Sequence, residues 1–244
     1  MAAIDRGRVL AKVRALVFDV FGTVVDWRGS ILKELEALGR AKGIAADWAR
    51  FVDDWRGGYH PAMQLVRSGA LPWTNIDGLH RRILDVILVQ HGIAGLTEDE
   101  KRHLNLVWHR LDPWPDAVAG LVRLKPRYIV GTLSNGNVAL LVDMAKHAGL
   151  PWDVVLSAEL VRHYKPDPEA YQMAPSLLGL APHEVMMVAA HASDLAAAAT
   201  QGLRTAYVSR PLERGPGSRA EAVSSDDVDV VAGDFLELAA RLGP

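Results

Sequence analysis

The sequence predicts an α/β fold: a parallel sheet flanked by helices, plus an inserted all-helical segment. Short apolar runs alternate with helical patterns, and the runs lack the polar alternation of half-exposed strands. From about Ser30 to Arg110, by contrast, apolar residues recur only at helical spacing. The predicted strands are Ala15–Val20, Tyr128–Leu133, Val154–Leu156, Val185–Ala190, Thr205–Val208 and Val228–Val231.

Helical patterns occupy most of the intervals between these runs. Two prolines at 113 and 115 break the helical pattern after the inserted segment and return the chain to the sheet. The stretch Arg210–Ser225 is rich in Gly, Pro and Ser and predicts a loop. The predicted helices are Asp116–Leu124, Val138–Ala148, Pro168–Leu178 and Asp194–Gln201.

Composition excludes several classes of function. The 244 residues include 27 Lys plus Arg and 29 Asp plus Glu, a near-neutral balance that argues against broad nucleic-acid binding but permits a local site for a small anion. Absence of cysteine excludes disulfides and thiolate chemistry, and the nine histidines lack zinc-ligand spacing. No signal-peptide stretch or apolar run of about 18 residues is present, so we expect a cytoplasmic protein without a membrane span.

Polar residues follow several of the predicted strands. In open parallel sheets, ligands bind beyond the carboxyl ends of the strands, so these residues are expected to converge there, with the helical insertion as a lid. Each residue alone has an ordinary explanation, such as a helix N-cap, a turn or a solvated lysine. The residues are Asp19, Ser134, Asn135, Lys165 and Asp194.

Four motifs occur in a fixed order: Asp19–Thr23 (DVFGT), Leu133–Gly136 (LSNG), Tyr164–Asp167 (YKPD) and a final Asp194. This arrangement resembles the haloacid dehalogenase (HAD) superfamily, specifically its type II, L-2-haloacid dehalogenase branch, over residues 14–242. The resemblance implies a Rossmann-like core domain at 1–28 and 112–244, a helical cap domain at 29–111, and a homodimer.

Phe21 separates two branches of this superfamily. Phosphatases that resemble this chain carry Asp-x-Asp at the first strand end, where the second Asp protonates the leaving oxygen. A phenyl ring can neither donate a proton nor bind a hard cation. A halide leaving group needs no proton, so Phe21 favours metal-independent carbon–halogen cleavage, although the ring is also suited simply to packing under the lid.

The resemblance implies that Asp19 attacks C2 of a small (S)-2-haloalkanoic acid and forms a covalent aspartyl ester. Hydrolysis of that ester then yields the (R)-2-hydroxy acid, or glycolate from haloacetate, without a cofactor. Thr23 would steady the Asp19 carboxylate, and Lys165 would supply its counter-charge. Asp194 would orient or deprotonate the hydrolytic water, or hold Lys165.

The same resemblance assigns residues to substrate and halide. Ser134 and neighbouring amides would bind the substrate carboxylate, Arg56 (after Trp55) and Asn135 the departing halide, and Tyr171 would hydrogen-bond near Lys165. Aromatic residues of the lid are either pocket walls or ordinary helix packing. Of these we expect Trp73 to be nearest the site, ahead of Tyr59 and Trp108.

One segment departs from the family pattern. Where the family commonly has Ser-x-Asn-x-x-Asp, this chain has Ala189 to Asp194 with His191 in place of the amide. His191 is predicted to replace the hydrogen bond, position water or act as a base, or else to be a neutral spacer. Its larger ring would also narrow the pocket toward small halides, including fluoride.

Three other functions remain open from sequence. One is a phosphatase or phosphonate hydrolase, such as a phosphatase of the phosphoglycolate type, which would require Mg²⁺ and an acid near Asp19. Another is a ring-opening or C–X hydrolysis that uses the same Asp19 chemistry. The third is a non-catalytic binding protein on the same fold, which the joint presence of Asp19, Thr23, Ser134, Lys165 and Asp194 disfavours.

Overall fold

A computed structural model describes residues 10–243 and has the predicted parallel sheet at its centre. Its strands are β1 (Ala15–Phe18), β2 (Val25–Asp26), β3 (Asp112–Pro113), β4 (Ile129–Ser134), β5 (Val154–Ser157), β6 (Val185–Ala189), β7 (Arg204–Val208) and β8 (Val230–Ala232). Six of them form one sheet in the order β5-β4-β1-β6-β7-β8, and every neighbouring pair is parallel. The predicted fold class is therefore confirmed.

The helices account for the rest of the regular structure. In the inserted segment they are α1 (Trp27–Lys42), α2 (Trp48–Gly57), α3 (Tyr59–Arg67), α4 (Ile76–Gln90), α5 (Glu98–Asn105) and a 3₁₀ turn at Leu106–His109. Around the sheet they are α6 (Ala117–Leu124), α7 (Val138–Ala148), α8 (Ala158–Val161), α9 (Pro168–Leu178), a 3₁₀ turn at Pro182–Glu184, α10 (Ala192–Thr200) and α11 (Phe235–Leu242). None of the helices in the described part of the chain has the length and apolarity to span a membrane.

Sequence pattern explains why these elements form. All four residues of β1 are buried, as a central strand covered on both faces requires. Several helices begin where a side chain caps free backbone amides; for example, Asn75 Oδ1 accepts from Gly78 N at 3.1 Å at the start of α4. The loop 210–225 contains no strand or helix, as predicted.

A short antiparallel ribbon was not predicted. β2 pairs with β3, with Val25 opposite Pro113 and Asp26 opposite Asp112. The segment expected only to break the helical pattern thus also forms a strand. The ribbon brings the beginning and end of the inserted segment together, and α1 begins immediately after it at Trp27.

A buried histidine joins the inserted helices to the sheet region. His109 lies between Asp77 of α4, at 3.0 Å, and Asp143 of α7, at 2.8 Å. The Asn137 amide, at the start of α7, also donates to Asp77 at 2.8 Å. Burial lowers the pKa of His109, but its two carboxylate partners outweigh burial and raise it. This contact fixes the insertion over one part of the sheet edge.

Candidate active site

A cavity of about 740 Å³ lies between the carboxyl ends of the strands and the inserted helices. Several predicted residues converge there because β1, β4 and β6 are neighbours in the sheet. The predicted residues among its walls are Asp19, Phe21, Arg56, Asn135, Lys165, Tyr171, His191 and Asp194.

Asp19 has three partners at the end of β1. Its Oδ1 accepts from Lys165 Nζ at 2.9 Å, and its Oδ2 accepts from Thr23 Oγ1 at 2.8 Å and lies 3.2 Å from His191 Nδ1. Burial opposes ionisation, but the Lys165 charge and the His191 contact hold the pKa of Asp19 well below its usual range. Asp19 is therefore a buried carboxylate that is ionised at neutral pH.

Asp194 shares Lys165 with Asp19. Lys165 Nζ lies 2.5 Å from Asp194 Oδ2, and the Tyr171 hydroxyl donates to Asp194 Oδ1 at 2.7 Å. Burial raises the pKa of Asp194 and the neighbouring Asp19 charge adds to the rise, although Lys165 opposes both. The two carboxylates raise the pKa of Lys165 despite its burial. One ammonium thus serves two carboxylates, and Asp19 is the more acidic of them.

His191 bridges Asp19 to a residue that sequence reasoning missed. Its Nε2 lies 3.1 and 3.0 Å from the two carboxylate oxygens of Glu213. Burial lowers the pKa of His191, but the hydrogen bonds to Asp19 and Glu213 outweigh burial and raise it to about 10. A pKa near 10 favours the imidazolium form of His191 in the free protein over the neutral spacer, and a role as a base then requires a change in its surroundings.

Glu213 belongs to the loop predicted at 210–225, and nothing in the local sequence marks it. Its approach depends on Gly22, where a Cβ would lie only 2.2 Å from Glu213 Oε1. Gly22 also has φ +84°, which disfavours other residues. Gly22, directly after Phe21, was a sequence signal for a close approach of another side chain. That side chain, Glu213, is 191 residues away in sequence, so the sequence could not identify it.

The inserted helices supply an apolar wall with one cation. The Phe21 ring packs edge-on against Tyr59 and Trp108, with ring centroids 6.4 and 5.8 Å apart. The Arg56 guanidinium lies over the Tyr59 ring at 4.2 Å, and its Nη1 is buried without a hydrogen-bond partner in the described residues. An unpaired donor on a residue that lines a cavity suits an anion.

Thr23 and Ser134 do not line the cavity, whereas Asn135 lines it and also contacts the Lys165 segment. Thr23 is fully buried and also accepts from Ala190 N at 3.0 Å, so it ties β1 to the end of β6. Asn135 accepts from Lys165 N at 2.8 Å and thereby positions the lysine segment. The Ser134 hydroxyl is buried and accepts from Gly136 N at 3.1 Å, and it does not face the cavity.

Trp73 was wrongly expected to be the lid aromatic nearest the site. Its ring is tilted by 31° against that of Tyr164, with centroids 4.8 Å apart, and it lines a separate, smaller cleft. Trp108 is fully buried behind Phe21, and Tyr59 is the member of the three that faces the cavity. The helical spacing of the aromatic residues correctly indicated that they are buried, but it could not indicate which of them line the cavity.

The site offers little to a metal ion. All four carboxylate oxygens of Asp19 and Asp194 already have side-chain partners, and position 21 carries a phenyl ring. Within residues 10–243, no group of three or more His, Asp or Glu side chains is arranged to hold a metal ion. The Lys165 ammonium occupies the place between the two carboxylates, where it supplies the positive charge.

Parallel sheet, inserted helices and an Asp–Lys–Asp arrangement at the strand ends define a class of hydrolases. Residues 13–202 match the family of haloacid dehalogenase-like hydrolases, and the chain belongs to this family.

Individual relatives carry names that are more specific than the family description. The chain is 30% identical over 211 residues to (S)-2-haloacid dehalogenase 1 of Pseudomonas sp. (strain CBS-3), covering 81% of this chain and 85% of that protein. Two solved structures are similar: L-2-haloacid dehalogenase PA0810, with 48% identity and a TM-score of 0.91, and the defluorinating L-2-haloacid dehalogenase Rha0230, with 46% and 0.90. Each alignment covers 94% of this chain, and 98% and 95% of the respective relatives.

Proposed function

We propose that the protein is an (S)-2-haloacid dehalogenase that works through an ester of Asp19 and needs no metal. One observation carries the proposal: the ionised Asp19 carboxylate shares a cavity with the unpaired Arg56 guanidinium, while Phe21 stands where a phosphatase would need an acid. A nucleophile and an anion acceptor suit displacement of halide. The names of relatives at 30% to 48% identity support the same substrate class.

In the first half-reaction, a carboxylate oxygen of Asp19 attacks C2 of the haloacid. The new C–O bond forms as the C–halogen bond breaks, and halide leaves with the bonding electrons toward Arg56. Thr23 and Lys165 hold the carboxylate in place, so little reorganisation is needed. No proton transfer is required, which is consistent with Phe21.

In the second half-reaction, water attacks the carbonyl carbon of the Asp19 ester. The Asp19 charge that raises the pKa of His191 disappears when the ester forms, so the imidazolium becomes more acidic and a neutral His191 becomes accessible. Neutral His191 can then take the proton from water, with Glu213 behind it, and Lys165 stabilises the oxyanion. Cleavage of the ester C–O bond, with protonation of the alkoxide, releases the hydroxy acid and regenerates Asp19.

A substrate panel tests this function. (S)- and (R)-2-chloropropionate, chloroacetate and phosphoglycolate are incubated with Mg²⁺ or with EDTA, and both halide and phosphate are measured. We expect chloride from the (S) enantiomer and from chloroacetate at the same rate in EDTA. Mg²⁺-dependent phosphate release without halide release would replace the proposal with the phosphatase alternative.

The ester route has its own test. A single turnover in ¹⁸O-water is expected to label the Asp19 carboxylate, because water attacks the ester carbonyl and the product hydroxyl comes from Asp19. Label entering the hydroxy acid directly would rule out the ester. Asp19→Asn is expected to abolish halide release, whereas a non-catalytic binding protein would keep its function.

A further inference from the structure

Trp27 is the first residue of α1 and lies at the edge of the cavity. It is 2% exposed, and its ring is nearly parallel to that of Trp108, with centroids 6.5 Å apart. The position follows from the β2–β3 ribbon, which ends one residue earlier at Asp26. Trp27 is thus rigidly placed on the inserted segment.

The indole of Trp27 lies next to both Glu213 and Arg56. Its Nε1 donates to Glu213 Oε1 at 3.1 Å, and the Arg56 guanidinium lies 5.5 Å from its ring. Glu213 in turn contacts His191, which contacts Asp19. A continuous chain of hydrogen bonds therefore leads from α1 to the reacting carboxylate.

We propose that Trp27 is a positioning residue for the hydrolytic half-reaction, acting through Glu213. This inference rests on the function proposed above. Glu213 comes from a loop without regular structure, and a carboxylate on such a loop has rotamers in which it misses His191. The indole N–H fixes one oxygen, so the carboxylate presents both oxygens to His191 Nε2.

The same bond adds to the contacts that favour an ionised Glu213. Burial raises the pKa of Glu213, but its contacts with His191, and the Trp27 N–H after them, lower it below the usual range. An ionised Glu213 favours the imidazolium that His191 becomes on taking a proton from water. Loss of the indole donor should thus weaken the base without touching Asp19, Lys165 or Thr23.

Trp27→Phe removes the donor and keeps a ring beside Arg56. In rapid-quench experiments with (S)-2-chloropropionate, we expect the initial burst of chloride, one per enzyme, to persist, and ester hydrolysis to slow about tenfold, the equivalent of one hydrogen bond to a charged group. The midpoint of the alkaline-rising pH profile of hydrolysis should also move to lower pH, because His191 loses part of its support. A purely structural role would leave that midpoint unchanged.

Two further variants isolate the route. In a protein that already carries Glu213→Ala, adding Trp27→Phe should lower the rate of ester hydrolysis by less than a further twofold, because the effect of Trp27 passes through Glu213. Trp152→Phe is the matched control: Trp152 is half-buried beside Phe18, before β5 and away from the cavity, and should leave both half-reactions unchanged.

The outcomes separate the inference from the function beneath it. A normal hydrolysis rate and pH midpoint in Trp27→Phe, or equal losses with and without Glu213, would overturn the role of Trp27 while leaving the dehalogenase intact. Loss of the burst in Trp27→Phe would also overturn it, since the residue would then act on halide displacement. Failure of the wild-type protein to release any halide would instead refute the proposed function.

Discussion

His191 and His109 each contact one carboxylate through each ring nitrogen, yet their surroundings differ. His191 bridges Asp19 and Glu213, whose side chains are 10% and 12% exposed, and it lines the cavity. His109 bridges Asp77 and Asp143, and the Asp143 side chain is 60% exposed. Both contacts raise the histidine pKa.

The difference lies in what the carboxylates can do. Asp19 faces the cavity and loses its charge when it is alkylated, so the pKa of His191 changes during the proposed reaction. Asp77 is held by Asn137 as well as by His109, and its partners join the inserted helices to α7. A histidine between two carboxylates would thus serve the proposed chemistry where it lines the cavity, and it joins the inserted helices to α7 where it does not.

The largest expected effect on the reaction comes from replacing each of the two histidines in turn with glutamine. His191→Gln should slow ester hydrolysis about 10²–10³-fold through loss of a base, and should keep the chloride burst. His109→Gln should leave turnover within about twofold and lower the free energy of unfolding by about 1–3 kcal/mol. Rapid-quench kinetics and urea unfolding measure the two; a reversed pattern would contradict the comparison.

A smaller effect is expected at Gly22. Gly22→Ala places a Cβ against Glu213 and displaces its carboxylate from His191, which should slow hydrolysis about tenfold, as loss of one charged hydrogen bond would. Gly149→Ala is the control, because Gly149 has φ +67° and open space around its Cβ position. Both variants should lose about 1 kcal/mol of stability from the backbone, but only Gly22→Ala should lose activity.

The pH dependence of stability sharpens the comparison further. The pKa of His191 rises from 6.5 to about 10 on folding, so its contribution is complete below pH 6.5 and is lost as pH rises through about 10. The stability difference between wild type and His191→Gln, from urea titrations at pH 6, 8 and 9.5, should shrink with increasing pH. A difference that grows with pH would mean that His191 is neutral in the folded protein.

The smallest expected effect concerns halide size. Fluoroacetate and chloroacetate form the same ester, so their ratio of kcat/KM reports substrate binding and carbon–halogen cleavage and not ester hydrolysis. His191→Asn should lower the fluoroacetate-to-chloroacetate ratio of kcat/KM about fivefold, the equivalent of about 1 kcal/mol, because a smaller side chain widens the pocket. An unchanged ratio would reject a role for His191 in halide preference.

Much of the fold was predictable from apolar patterning. Strand β1 and its neighbours are continuous buried runs, and burial on both faces leaves a local signature. The ribbon β2–β3 was missed because two-residue strands have no period to detect. Trp73 was misplaced because helical spacing indicates a buried face without saying what the face meets.

The sequence by itself determined the parallel sheet, the helical insertion and the convergence of Asp19, Lys165 and Asp194, since strand ends of one sheet must share an edge. It also excluded an acid at position 21. Only the tertiary structure decided that Glu213 contacts His191, that Trp27 contacts Glu213, and that two carboxylates raise the pKa of His191. Those facts depend on how a loop without periodicity packs beside Gly22, and a pKa depends on charges brought together in space rather than on neighbours in the chain.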